Sequence, residues 1–187
     1  SDQPTRGVNN GLMTIMKCDE LVDYHTLDLP SDFIHTPGML CIKYNALIIS
    51  NVHFIPILPD TNYVYKCVNY INYLFGHNII NMQLQSIDIV RDVISMMATE
   101  VDNEVIALGD FNIGKRDGSD LYDTLLTTLD VIDTATDVIT THHPLGIDDN
   151  TGDQIDYIFT NCIYQNRSTV VQQCVNLSDH HPIHACI

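Results

Sequence analysis

The sequence predicts one layered domain in which strands alternate with amphipathic helices, of α/β or α+β class, and three observations carry that reading. Short apolar runs bounded by turn-formers are interleaved with stretches whose apolar residues recur every three or four positions. The 187 residues amount to about one domain and can bury a sizeable core without metal or disulfide staples. No repeat, low-complexity tract or Ser/Gly/Pro-rich linker divides them, so residues 1–187 are read as a single unit.

The elements follow in order. Residues 11–16 form a short apolar strand, and residues 39–44 and 46–53 two more, joined tightly at Asn45 as a hairpin. From Tyr63, the residues Val64, Cys67, Val68, Ile71, Leu74 and Phe75 recur at helical spacing up to Gly76. A second helical run carries Leu84, Ile87, Val90, Ile94 and Met97. Residues 104–108 are a mostly apolar strand that stops at Gly109. Ser119-Asp120 then opens a third helix through Leu121, Leu125, Leu126 and Leu129. Strands resume at residues 154–160, 169–175 and 182–187.

Composition excludes several classes. Eight Lys and Arg against 24 Asp and Glu give a formal charge of −16, which argues against gripping nucleic acid with a broad basic surface. It leaves open a protein that reaches phosphates through bound cations. The longest apolar stretches fall far short of the roughly 18 residues of a membrane helix, so no transmembrane segment is expected. Six cysteines are scattered without a C-x-x-C pair, and they read as buried free thiols in a reducing, intracellular compartment.

Polar residues gather where strands end. Asp110 and Asn112 follow the strand at 104–108, and a period of two points both to one side. Asp156 lies inside an apolar strand, where a charge is costly unless paired, and a histidine is its natural partner. Asp179-His180-His181-Pro182 supplies two imidazoles and a carboxylate before the last strand, and His53 closes the strand at 46–53. Together they read as one polar site at one edge of a sheet.

The ordered set Gly109-Asp110-Phe111-Asn112, Gln154-Ile155-Asp156-Tyr157-Ile158-Phe159 and Ser178-Asp179-His180-His181-Pro182-Ile183 resembles the endonuclease/exonuclease/phosphatase family. Residues 11–17 resemble its apolar strand ahead of the hairpin, Ser50-Asn51-Val52-His53-Phe54 its Asn-x-His-Leu element, and residues 121–133 the helix leading to a short apolar-Asp step. The resemblance implies a four-layered α+β sandwich of two packed, mostly antiparallel sheets with the site at the strand ends. It casts His180 as general base and Asp156 as the partner that fixes its tautomer. Asp110 and Asn112 would place and polarise a phosphate, with Asp110 and Asp179 near a magnesium or manganese ion. His53 would contact the phosphate or assist the leaving group, and Asn51 would support it. His142, Lys115 and Arg116 are further candidates for substrate contact, weighed against an exposed loop and a solvated turn.

One departure stands out. The family normally carries an opening strand and a metal-binding Glu ahead of the segment matched by residues 11–16, yet only ten residues precede Gly11 and none is Glu. Glu20, Glu100 and Glu104 are the sole glutamates. The expectation is a chain incomplete at its N-terminus, with apolar surface that a second polypeptide covers, or a shortened and inactive scaffold. The implied function is a magnesium-dependent phosphodiesterase, a nuclease first and a sphingomyelinase-like enzyme acting on a lipid headgroup second.

Overall fold

The computed structural model describes residues 14, 23–28, 38–54, 82–98, 102–115, 120–135, 137, 140–142, 152–162, 168–171 and 180–186. Its elements are β1 (Asp23–Asp28), β2 (Gly38–Tyr44), β3 (Leu47–His53), α1 (Met82–Met97), β4 (Glu104–Asp110), α2 (Asp120–Leu129), β5 (Ile132–Asp133), β6 (Asp156–Thr160), β7 (Ser168–Val171) and β8 (Ile183–Cys186). Six strands form a mixed sheet in the order β1-β2-β3-β4-β6-β5, and β7 pairs with β8 in a small second sheet. Only β3 and β4 run parallel in the large sheet, so the sheet is mostly antiparallel, as expected.

The hairpin turns where the sequence places it. Asn45 adopts φ 55°, a left-handed conformation that asparagine tolerates better than most residues. The parallel step from β3 to β4 demands a crossover, and α1 lies on that connection. Its buried residues Ile87, Val90, Ile94 and Met97 recur at helical spacing, while Arg91 pairs with Asp88 and Asp92 on the exposed side.

The sheet has two unlike faces. Met39, Cys41, Ile48, Val52, Val105, Ala107, Tyr157 and Phe159 are buried together with residues of α1 and α2. Along β3 and β4 the alternate residues Asn51, His53, Leu108 and Asp110 are only half-buried, which places the polar set on the face away from the helices. The second sheet is tied in by contacts between β6 and β8 and by a 2.6 Å hydrogen bond between the hydroxyls of Thr134 and Thr169.

Some expectations are adjusted. β4 continues two residues beyond Leu108, making Asp110 its last residue, and β6 begins at Asp156 instead of Gln154. The edge strand β1 carried no recognised alternation, since His25, Thr26 and Asp28 interrupt its apolar residues. All of the strand at 11–16 except Thr14, the helix at 63–75 and residues 172–175 of the strand at 169–175 lie outside the described residues. Cys41 and Cys162 are free thiols, and burial pushes the Cys41 thiol up to about 11. No helix among the described residues is long and apolar enough to cross a membrane.

Gly109 is a backbone requirement. It adopts φ 127°, and a Cβ there would stand 2.0 Å from the carbonyl oxygen of Val52 on β3. Gly109→Ala should therefore lower unfolding free energy by about 3 kcal/mol in urea titration, through strain and a clash with a neighbouring strand. A variant as stable as the parent would contradict this account of the β3–β4 contact.

Candidate active site

Register assembles the site. His53 is paired with Asp110 across the parallel β3–β4 ladder, and Asp110 with Asp156 across the antiparallel β4–β6 ladder. The three residues thus form one row across three strands. Backbone bonds flank it: Phe54 N–H donates to Asp110 O at 2.8 Å, and Phe111 N–H to Ile155 O at 2.9 Å.

His180 completes the group from outside the large sheet. Its Nδ1 lies 2.9 Å from Asp156 Oδ2, and its Nε2 lies 4.0 Å from Asp110 Oδ2. His53 Nε2 approaches the same Asp110 oxygen at 3.6 Å, so two imidazoles bracket one carboxylate. The Nδ1 contact with Asp156 fixes the ring orientation and leaves Nε2 as the nitrogen on the Asp110 side.

Each residue of the Gly-Asp-Phe-Asn segment has a separate task. Phe111 is fully buried and meets Phe54, Tyr157 and Phe159 edge-on at centroid distances of 5.1, 5.9 and 5.0 Å. That anchor fixes the backbone on both sides of it. Asn112 adopts φ 50°, leaves the strand, donates its backbone N–H to Asp110 Oδ1 at 2.8 Å and its side-chain amide to Phe54 O at 2.7 Å. The period-two expectation for Asn112 is corrected accordingly: its left-handed backbone turns the side chain toward Phe54, where it braces Asp110. An amide has a second N–H, so this brace does not use up its donors.

The remaining candidates separate. Asn51 shares the half-buried face of β3 with His53 and donates to Thr14 Oγ1 at 3.4 Å. His142 is half-buried, not an exposed loop residue, with its ring 5.0 Å from that of His180. Lys115 is drawn away: its Nζ lies 3.0 Å from Asp133 Oδ2 and over the Tyr122 ring. Its expected phosphate contact is replaced by a buried brace in which Tyr122 also donates to Asp133. Asp179 and Arg116 lie outside the described residues. Glu104 starts β4, at the opposite end of that strand from Asp110.

Sequence reasoning missed Thr141, which is fully buried and accepts at Oγ1 from the backbone N–H groups of Ile155 and Asp156 at 3.1 and 3.0 Å. A threonine between a loop and two histidines carries no sequence signal of that role.

Asp110, Asp156 and His180 each offer a ligand atom, and these atoms lie within 4.8 Å of one another. Burial, reinforced by the Asp156 carboxylate, pushes the Asp110 carboxyl up to about 6 against the opposing pull of Asn112 and His180. Two carboxylates facing each other in a half-buried row fit a hard divalent cation, which would offset their repulsion.

The sequence matches no protein-family profile and no curated protein. Solved structures match in fold. SmcL superposes with a TM-score of 0.56 at 14% identity, over 87% of this chain and 63% of that one. The 3′ phosphatase NExo from Neisseria, bound to product DNA hairpin, gives 0.52 at 15% identity over 79% and 63%. An endonuclease/exonuclease/phosphatase family protein from Bacteroides thetaiotaomicron gives 0.51 at 14% over 89% and 64%. The chain thus spans less than two thirds of the length of these structures.

The raised Asp110 pKa has a stability consequence. Between the ordinary value of 3.8 and about 6, the folded protein holds a proton that the unfolded chain has released, so metal-free stability falls as pH rises through that window. The loss is on the order of 3 kcal/mol at neutral pH. Asp110→Asn keeps an oxygen for the Asn112 N–H and removes the charge. It should unfold at higher urea than the parent at neutral pH in a chelator, and the difference should vanish in acid below the ordinary carboxylate range. A variant less stable than the parent at neutral pH would contradict the assignment.

Proposed function

We propose that this chain, which has the fold of endonuclease/exonuclease/phosphatase proteins, hydrolyses a phosphodiester by metal-assisted attack of a water that His180 activates, with nucleic acid as the substrate. The observation that carries this reading is the Asp156–His180 bond of 2.9 Å, with the other ring nitrogen of His180 directed at Asp110. A base oriented by a half-buried acid beside a second, cation-seeking carboxylate is what in-line attack at phosphorus requires.

The residues divide the work. His180 Nε2 takes a proton from the attacking water as its oxygen bonds to phosphorus, and Asp156 stabilises the resulting imidazolium. Asp110, braced by Asn112, would hold a divalent cation, magnesium or manganese, together with oxygens of the substrate. Such a cation, when bound, would offset the negative charge that builds on the phosphoryl oxygens. His53, on the other side of Asp110 from His180, donates to a phosphoryl oxygen or to the departing one as its bond to phosphorus breaks.

The Ile-Asp-Tyr-Ile and Ser-Asp-His-His-Pro forms of the motifs resemble the nuclease and sphingomyelinase branches alike, and likeness to a phosphatase solved with a DNA hairpin favours nucleic acid between them. The charge balance shapes how such a substrate is met. Among the described residues, Arg91 is paired with Asp88 and Asp92, and Lys115 with Asp133, while the imidazoles of His53 and His180 both approach Asp110.

Incubation with magnesium and, in parallel, single-stranded DNA, RNA and a choline phospholipid tests the substrate. Cleavage of a nucleic acid is expected, whereas cleavage of the lipid alone would overturn the nuclease reading. His180→Ala should reduce the rate by at least about a hundredfold with the circular dichroism spectrum unchanged; an active His180→Ala protein removes the general base from this account.

A further inference from the structure

We infer that Thr141 is a positioning residue that sets the Asp156–His180 pair, an inference that rests on the proposed role of that pair. The two members come from separate places in the fold: Asp156 opens β6 of the large sheet, while His180 lies outside both sheets on the approach to β8. Something must fix the gap between them to hydrogen-bond tolerance, and residues 141–142 lie in that gap.

Thr141 holds both sides. Its hydroxyl oxygen accepts from the N–H of Asp156 itself, at 3.0 Å, and from that of Ile155 at 3.1 Å. Its carbonyl accepts from His181 N–H at 2.7 Å, one residue from His180. Its own N–H donates to Asp153 O at 3.1 Å. His142 continues the splint, bridged on one side to Asp153 and on the other to His180. A short piece of strand is thereby inserted between the approach to β6 and the approach to β8.

Two further features agree. Gly152 admits the splint: a Cβ there would lie 2.0 Å from His142 O and 2.6 Å from Thr140 Cγ2. Thr141 is also fully buried, so its hydroxyl oxygen is shielded from water, and two part-buried N–H groups share that one oxygen. Of the two bonds it receives, one comes from the backbone N–H of the acid that orients the base. Removing the hydroxyl should therefore let Asp156 shift relative to His180 while the rest of both sheets is kept.

The test uses the whole chain and its Thr141→Val and Thr141→Ser variants, with Thr141→Cys replacing the first if Val fails to fold. Bis(para-nitrophenyl) phosphate with magnesium is the probe, and the His180 Nδ1 proton resonance is followed independently of activity. Thr141→Val should weaken or abolish that resonance, lower kcat by about tenfold to a hundredfold and leave KM unchanged. Thr141→Ser should restore both. A Val or Cys variant that keeps the resonance and kcat overturns the positioning role, as does one that loses stability alone. A parent chain that lacks the resonance overturns the pairing itself, and the splint with it.

Discussion

The row His53–Asp110–Asp156, laid across β3, β4 and β6 by strand register, is the constraint on which the rest of the site depends. Like charges opposite each other on neighbouring strands are destabilising, and here they sit in a half-buried face. A shift of one residue in either ladder would turn the carboxylates toward the helix-packed core, so register and chemistry cannot be separated. The histidines at both sides of Asp110 and the raised carboxyl are consequences of that placement.

The Gly-Asp-Phe-Asn segment shows how the protein maintains it. Gly109 permits the close approach of β3, Phe111 drives a ring into the aromatic cluster beneath, and Asn112 reverses the backbone and returns two hydrogen bonds. Asp110 is left as the one residue of the four with its charge directed at the site. Burial of Phe111 anchors a half-buried, costly charge next to it, a local coupling of core packing to the site.

Much of this was legible in the sequence because the signals are local. The β2–β3 hairpin, α1, α2, β4 and β6 follow from apolar periodicity and turn chemistry, and the order of the Asp, Asn and His motifs pointed to a single edge. The pairing of Asp156 with a histidine follows from the cost of a charge in an apolar strand. What was not legible is long-range. Lys115 looks like a phosphate contact beside the motif, yet Asp133, eighteen residues on, captures it. Thr141 has no composition signal at all, since its partners Ile155, Asp156 and His181 are far from it in the sequence. β1 escaped because an edge strand needs no strict alternation.

Calorimetric titration of magnesium into the chain and into Asp110→Ala tests the central claim most directly, since the proposed chemistry requires a cation at the row. The account predicts saturable binding by the parent chain at neutral pH and its loss in Asp110→Ala. Equal binding by both, or hydrolysis by a parent chain that binds no divalent ion, would contradict it.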